Sequence, residues 1–149
     1  MSIRIRAGAT MLLFAFALTF FPVTTYAANE DTVDTYRYEE DLGNGFTAET
    51  VLVMNPARSE RGAYKQKIIK HDGRQIASVT LDAIFYYNGS TSRVVSYKYE
   101  KDMSFGWLYT RHNIATSGGR VTLTADLVSA IGTVPISISM YCTPAGAIS

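Results

Sequence analysis

The residue types able to do chemistry are few in this chain, and they are scattered. There are two histidines, His71 and His112, and one cysteine, Cys142. His71 falls in His71-Asp72-Gly73-Arg74, an Asp-Gly hairpin-turn pattern. His112 lies in an alternating run, on the face of Leu108, Thr110 and Ile114. Neither has a second His, Cys or carboxylate at ligand spacing, so zinc is not expected, and no metal-ligating residue or cofactor is assigned. The acids Asp31, Asp34, Glu39, Glu40 and Asp41 offer hard oxygen ligands. They lack the spacing of a calcium loop and read as a solvated segment. Cys142 alternates with Ile136, Ile138 and Met140, which puts its thiol on an apolar face as a small hydrophobe. Ser117-Gly118-Gly119 reads as a turn, and nucleophile-elbow and phosphate-cradling glycine patterns are absent. Glycoside hydrolysis needs two facing carboxylates, which Asp82 and Glu100 on adjacent strands would supply. Two acids on one wet sheet face are ordinary surface, so no catalytic residue is assigned.

Tyrosine is the feature most unlike background, with ten in the chain. Tyr86, Tyr87, Tyr97 and Tyr99 flank one predicted hairpin, and Trp107 and Tyr109 follow on the next strand. Aromatic rings combine a large contact area with a polar handle, which suits glycans, peptides and protein surfaces. Alternation sends Tyr86 and Tyr87 to opposite faces, so only part of the set can be core. Tyr86, Trp107 and Tyr109 are the candidate ligand-binding residues. The competing expectation is that Tyr87, Tyr97, Tyr99 and Trp107 simply fill the core.

From Phe46 onward the chain repeats a period of two between turn signals, the mark of half-buried strands. The clearest run is Gln75 to Tyr87, with Ala77, Val79, Leu81, Ala83, Phe85 and Tyr87 on one face and Ser78, Thr80 and Asp82 on the other. In the next run Val95, Tyr97 and Tyr99 share a face. The last run alternates Val134, Ile136, Ile138, Met140 and Cys142 with Pro135, Ser137, Ser139 and Tyr141. About seven such strands predict an all-β, two-sheet antiparallel sandwich of immunoglobulin-like architecture, with a small barrel as the alternative. The paired cysteines of true immunoglobulin domains are absent.

Residues 1–27 have the three-part layout of a secretory signal peptide. Arg4 and Arg6 precede the apolar run Met11 to Phe21, and Thr25-Tyr26-Ala27 offers small residues at the cleavage positions. The sandwich domain is then 46–149, preceded by an acidic, partly flexible segment at 28–45 in which Tyr36, Tyr38 and Leu42 could fix an edge strand. Removing Arg4 and Arg6 leaves 12 basic against 13 acidic residues, a net charge near −1. That balance gives no footprint for nucleic acid. Its distribution is uneven, however. Acids dominate between Asn29 and Glu49, and Arg58, Arg61, Lys65, Lys67, Lys70 and Arg74 follow. The bland expectation is an acidic leader and a basic surface hairpin; the sharper one lays the acidic segment against the basic one.

Three stretches carry a family resemblance: Phe85-Tyr86-Tyr87-Asn88-Gly89-Ser90, Gly106-Trp107-Leu108-Tyr109, and Cys142-Thr143-Pro144-Ala145-Gly146-Ala147-Ile148-Ser149. Together they resemble a mostly uncharacterised group of small secreted β-proteins of Gram-positive bacteria that end in Cys-x-x-x-Gly-x-Ile-Ser. The resemblance covers roughly the last 75 residues. It implies export and a β fold, and brings no activity or site residues with it. The reading that follows is a secreted, extracellular, non-enzymatic binding or interaction module without a membrane anchor after cleavage. Its expected partners are a cell-wall glycan, a host-surface glycan or a protein. A toxin-like or bacteriocin-like effector is the alternative, and a wall-associated hydrolase a third. Mass spectrometry of culture supernatant should find a protein that starts at Ala28 or Asn29. Recovery of only an intact Met1 species in the membrane fraction would refute export.

Overall fold

The computed structural model describes residues 33–56 and 59–149. The signal-peptide segment lies outside the described residues, as do Glu30, Asp31 and Arg58. Eight antiparallel strands form two sheets: β1 (Asp34–Gly43), β2 (Phe46–Met54), β3 (Glu60–His71), β4 (Arg74–Tyr87), β5 (Ser92–Met103), β6 (Leu108–Ser117), β7 (Arg120–Ser129) and β8 (Gly132–Tyr141). The first five make one sheet in the order β1-β2-β3-β4-β5, and the last three make a second in the order β6-β7-β8. Each sheet is a meander, so the likeness to immunoglobulin domains lies in the layering and not in the connectivity. Seven of the strands match the sequence-predicted runs. The eighth, β1, is an edge strand carrying Tyr36, Tyr38 and Leu42.

Alternation builds the core as expected. Ala77, Val79, Leu81, Ala83 and Phe85 of β4 face Val121, Leu123, Ala125 and Leu127 of β7 and Val134, Ile136, Ile138 and Met140 of β8, all buried. Cys142 and Ile148 join them, and burial pushes the Cys142 thiol up against a smaller opposing pull from Arg61.

Strand β3 departs from the expectation of a basic surface hairpin. In register, Lys65 sits beside Leu81 and Lys67 beside Val79, so both basic side chains share the inward face with Ala63 and Ile69. Their stems cover apolar surface while their ammonium groups reach out. Lys65 Nζ donates to Ser139 O at 2.9 Å and Lys67 Nζ to Ser137 O at 3.5 Å, tying β3 to the free edge of β8. Lys67 also pairs with Glu40 of β1, and Arg61 with Asp34 at 3.3 Å. On the outer face Glu49 lies between Lys70 and Arg37, which in that order hold its carboxyl below the usual range. The acidic segment therefore does lie against the basic one, as strand β1. Beyond these pairs nothing among the described residues covers the inward face of β1, and Tyr36 and Tyr38 are more than half exposed there.

Residues 142–149 close one end of the sandwich. Cys142 bridges Ile148, and Tyr141 and Ser149 exchange backbone hydrogen bonds at 3.0 Å. Arg61 donates to Gly146 O at 3.0 Å and to Asn55 O at 2.8 Å. Gly146 has φ +87° and lies flat against the Tyr87 ring, where a side chain would collide. Leu81→Ala or Ile138→Ala should cost about 2–5 kcal/mol by leaving a cavity. Ser137→Ala, on the exposed face of β8, should change stability by less than about 0.5 kcal/mol. Urea unfolding measures both, and equal costs would refute the assignment of faces.

Candidate binding site

Strands β5 and β6 are the facing edges of the two sheets and are not hydrogen-bonded to each other. Side chains fill the seam between them. On β5 the register places Tyr97 beside Ala83, Tyr99 beside Leu81 and Lys101 beside Val79, all directed inward. On β6 a bulge interrupts pairing between Thr110 and Asn113, with Arg111 at φ +50°. An extra residue in one strand reverses its alternation. Tyr109, His112 and Ile114 consequently reach the seam, while Leu108 and Thr110 face outward. This corrects the expectation that put His112 on the face of Leu108 and Thr110, because a non-glycine bulge has no sequence signature. A second bulge, on β5, brings Val94 beside Phe85 and leaves Val95 exposed, the reverse of the simple alternation.

The seam residues form one connected cluster. The ring centroids of Tyr99 and Tyr109 are 6.2 Å apart at an interplanar angle of 21°. The His112 ring is 5.4 Å from Tyr99 and 5.8 Å from Tyr109. Tyr99 Oη and His112 Nε2 are 3.4 Å apart, and Lys101 Nζ stands 4.4 Å from the centre of the Tyr109 ring, a cation–π contact. Tyr97 continues the face and is 47% exposed, enough to be touched from outside. The Tyr109 hydroxyl is buried without a partner among the described residues. Its pKa is pushed up to about 12, first by burial and then by Tyr99, so it remains a hydrogen-bond donor at neutral pH.

The three sequence-predicted binding residues do not form one patch. Tyr109 is in the seam. Trp107 is half-buried, with its ring edge-on to Phe46 at 5.9 Å, and belongs largely to the core. Tyr86 is on the outer face of the five-stranded sheet, with Arg93 5.2 Å from its ring. Trp107 is tied through Ser104 to Ile76 at the start of β4, whereas Tyr86 is near its end. Ten residues at about 3.3 Å each separate those points by roughly 30 Å. Sequence reasoning passed over Tyr97, Tyr99, Lys101 and His112 as a set. The period-two signal on β5 was there to find the first two, but the bulge hid the third strand position that completes them.

The hydrolase pair is also placed. Asp82 and Glu100 are diagonal neighbours on the outer face, with Lys98 Nζ at 3.5 Å from one and 3.9 Å from the other. They line a shallow open depression with Tyr64 and Thr80 rather than a cleft. His71 packs against Phe46 beside a hairpin turn, with ring centroids 4.4 Å apart and the planes tilted by 38°. Among the described residues, no three His, Cys, Asp or Glu side chains gather as a metal centre would.

The fold and site together define a two-sheet β-sandwich with an aromatic seam. Comparison with protein-family models, with curated proteins and with solved structures finds no match.

The Tyr109 hydroxyl sets a pH dependence. Unfolded, it ionises near 10, and folded near 12. Between those values the folded state holds more protons, so stability is lost as pH rises through the window. Lys65 acts in the opposite sense, since burial lowers its pKa below 10.5 and stability rises with pH as it loses its charge. Both proteins retain Lys65 when wild type is compared with Tyr109→Phe, so the difference isolates the tyrosine. The variant should lose less stability between pH 10 and 12 and be unchanged or slightly stabilised at neutral pH, because it removes an unpaired buried group. Denaturant melts across pH measure this, and a marked neutral-pH destabilisation would show that the hydroxyl has a partner.

Proposed function

We propose that the protein is a secreted, non-enzymatic binding module and that the β5–β6 seam is its contact surface. The connected array of Tyr97, Tyr99, Tyr109, His112 and Lys101 carries this reading. Aromatic faces supply apolar area at low side-chain entropy, and the imidazole, ammonium and tyrosine hydroxyls provide directional contacts around them. Such a mix fits a ligand with alternating apolar and hydroxyl-bearing faces, as in a cell-wall or host-surface glycan. The rings rest against the core on one side, so little ordering is required when a ligand arrives. With a near-neutral domain, long-range charge adds little attraction.

The test is retention on insoluble cell-wall glycan together with titration of soluble wall and host-type oligosaccharides. Tyr97→Ala and His112→Ala should each weaken binding about tenfold or more while leaving the melting temperature nearly unchanged. Tyr86→Ala, on the far face, should bind normally, as should Asp82→Asn combined with Glu100→Gln. If Tyr86→Ala abolishes binding and the seam variants do not, the outer face is the contact surface. Loss of a hydrolytic activity in the acidic double variant would replace the binding reading with the hydrolase one.

A further inference from the structure

A different feature is the outer edge of the five-stranded sheet. The other sheet edges are covered within the chain. Strands β5 and β6 face each other across the aromatic seam. Along β8, Ser139 O and Ser137 O accept from Lys65 and Lys67, Tyr141 exchanges backbone bonds with Ser149, and Pro135 has no amide to offer. Strand β1 remains, and among the described residues it pairs on one side only, with β2. Asn55 N donates to Gly62 O, so odd-numbered residues of β2 bond toward β3 and even-numbered ones toward β1. In register with the latter, Asp34, Tyr36, Tyr38 and Glu40 bond to β2, and Thr35, Arg37, Glu39 and Asp41 turn their amides and carbonyls to the free edge. Proline is absent from β1 and its bulge lies at the Asp41–Gly43 end, so neither device blunts the middle of the strand.

We infer that β1 pairs with β1 of a second copy of this chain, antiparallel about a twofold axis at Tyr38, so that the two five-stranded sheets join edge to edge. The strand is its own complement in this register. Arg37 lies opposite Glu39 of the second copy, and Glu39 opposite Arg37 of the second copy, each pair exchanging both backbone hydrogen bonds. Thr35 meets Asp41 beyond them. The two Tyr38 side chains meet at the axis in a non-hydrogen-bonded pair, where side chains come closest. Moving the axis to Arg37 or to Glu39 sets that charge against its own copy, and moving it to Glu40 sets Glu39 against Asp41. An axis at Tyr36 leaves Arg37 against Thr35, without an ion pair. Charges within the chain point the same way. Glu39 is in register beside Glu49 of β2, and among the described residues no basic group pairs with it, whereas Glu40 and Asp34 are matched by Lys67 and Arg61. Arg37 holds Glu49 at 3.0 Å with a side chain still 65% exposed, so it can bridge Glu49 and Glu39 of the second copy. Both aromatic seams stay free at the far edges of the joint sheet, so this pairing is separate from the glycan-binding reading.

Sedimentation equilibrium of the purified protein, its first residue checked by mass spectrometry, should show a reversible monomer–dimer equilibrium at concentrations up to about 1 mM. Arg37→Glu and Glu39→Arg should each raise the dissociation constant about tenfold or more, because either change sets like charges opposite one another on both sides of the axis. The double exchange, Arg37→Glu with Glu39→Arg, restores the complement and should dimerise as wild type does. An equimolar mixture of the two single variants should form the heterodimer. Glu39→Arg separates pairing from folding, since it faces Glu49 in register and should leave the melting temperature unchanged or raised. Tyr97→Ala should dimerise normally. The inference is overturned if wild type stays monomeric throughout that range. It is overturned equally if a dimer ignores both single exchanges, if the double exchange does not regain what they lose, or if Tyr97→Ala dissolves it and so moves the interface to the seam.

Discussion

A three-stranded sheet cannot cover a five-stranded one, and the rest of this structure is organised by that mismatch. At about 4.8 Å between strands, the outer axes of the larger sheet are about 19 Å apart and those of the smaller about 10 Å. The smaller sheet lies over β3, β4 and β5, so the core formed by β4, β7 and β8 is shielded, β1 and β2 overhang, and each long seam is closed by its own material. On the β8 side the material is charge. Lys65 and Lys67 lie across the margin of the core and bond to carbonyls on the free edge of β8, and Glu40 and Asp34 of β1 pair with Lys67 and Arg61. Inward-pointing charges of this kind also blunt an edge strand against pairing with other chains. On the β5 side the material is aromatic, and there the rings remain partly open.

How legible this was depends on which interaction set each element. The strands of the overlap were plain in the sequence, because a face buried against a second sheet must be apolar at every other position, as Ala77 to Phe85 and Val134 to Met140 are. The seams were not. Lys65 and Lys67 occupy inward positions of a period-two strand, but a lysine there reads as surface unless the missing cover is known. Alternation alone also fails at Arg111 and at Val94–Val95, where bulges reverse the phase without any glycine to mark them. The candidate site was therefore only partly readable. Tyr109 is legible, whereas alternation puts His112 with Leu108 and Thr110, and it groups Tyr86 with Trp107, which is roughly 30 Å away.

The Cys-x-x-x-Gly-x-Ile-Ser ending acquires a physical meaning here, and it is one of folding rather than chemistry. Cys142 fills the last inward position of the β8 alternation, and Ile148 returns beside it through a bridge. Gly146 is required by its positive φ and by its contact with the Tyr87 ring. Ser92 Oγ bonds to Cys142 O at 2.6 Å and Cys142 N to Gly119 O at 2.8 Å, which draws the start of β5 and the β6–β7 turn to the same point. The motif thus closes the end of the sandwich opposite the β3–β4 and β7–β8 turns.

The two seams differ in what they leave available to a partner. Along β8 each charged group is already engaged: Arg61 by three acceptors, Lys67 by a carboxylate and a carbonyl, and Lys65 by Ser139 O. A ligand there would have to displace bonds in partly buried surroundings, where breaking a charge-assisted bond is expensive. Along β5 the rings touch one another and the core through dispersion, which an approaching apolar face can add to without breaking anything. Among the described residues Lys101 rests on the Tyr109 ring with no carboxylate against it. Packing that is complete on the inner side and unfinished on the outer is the physical condition for recognition without rearrangement, and here it arises because two sheet edges, β5 and β6, meet through side chains and not through a hydrogen-bond ladder.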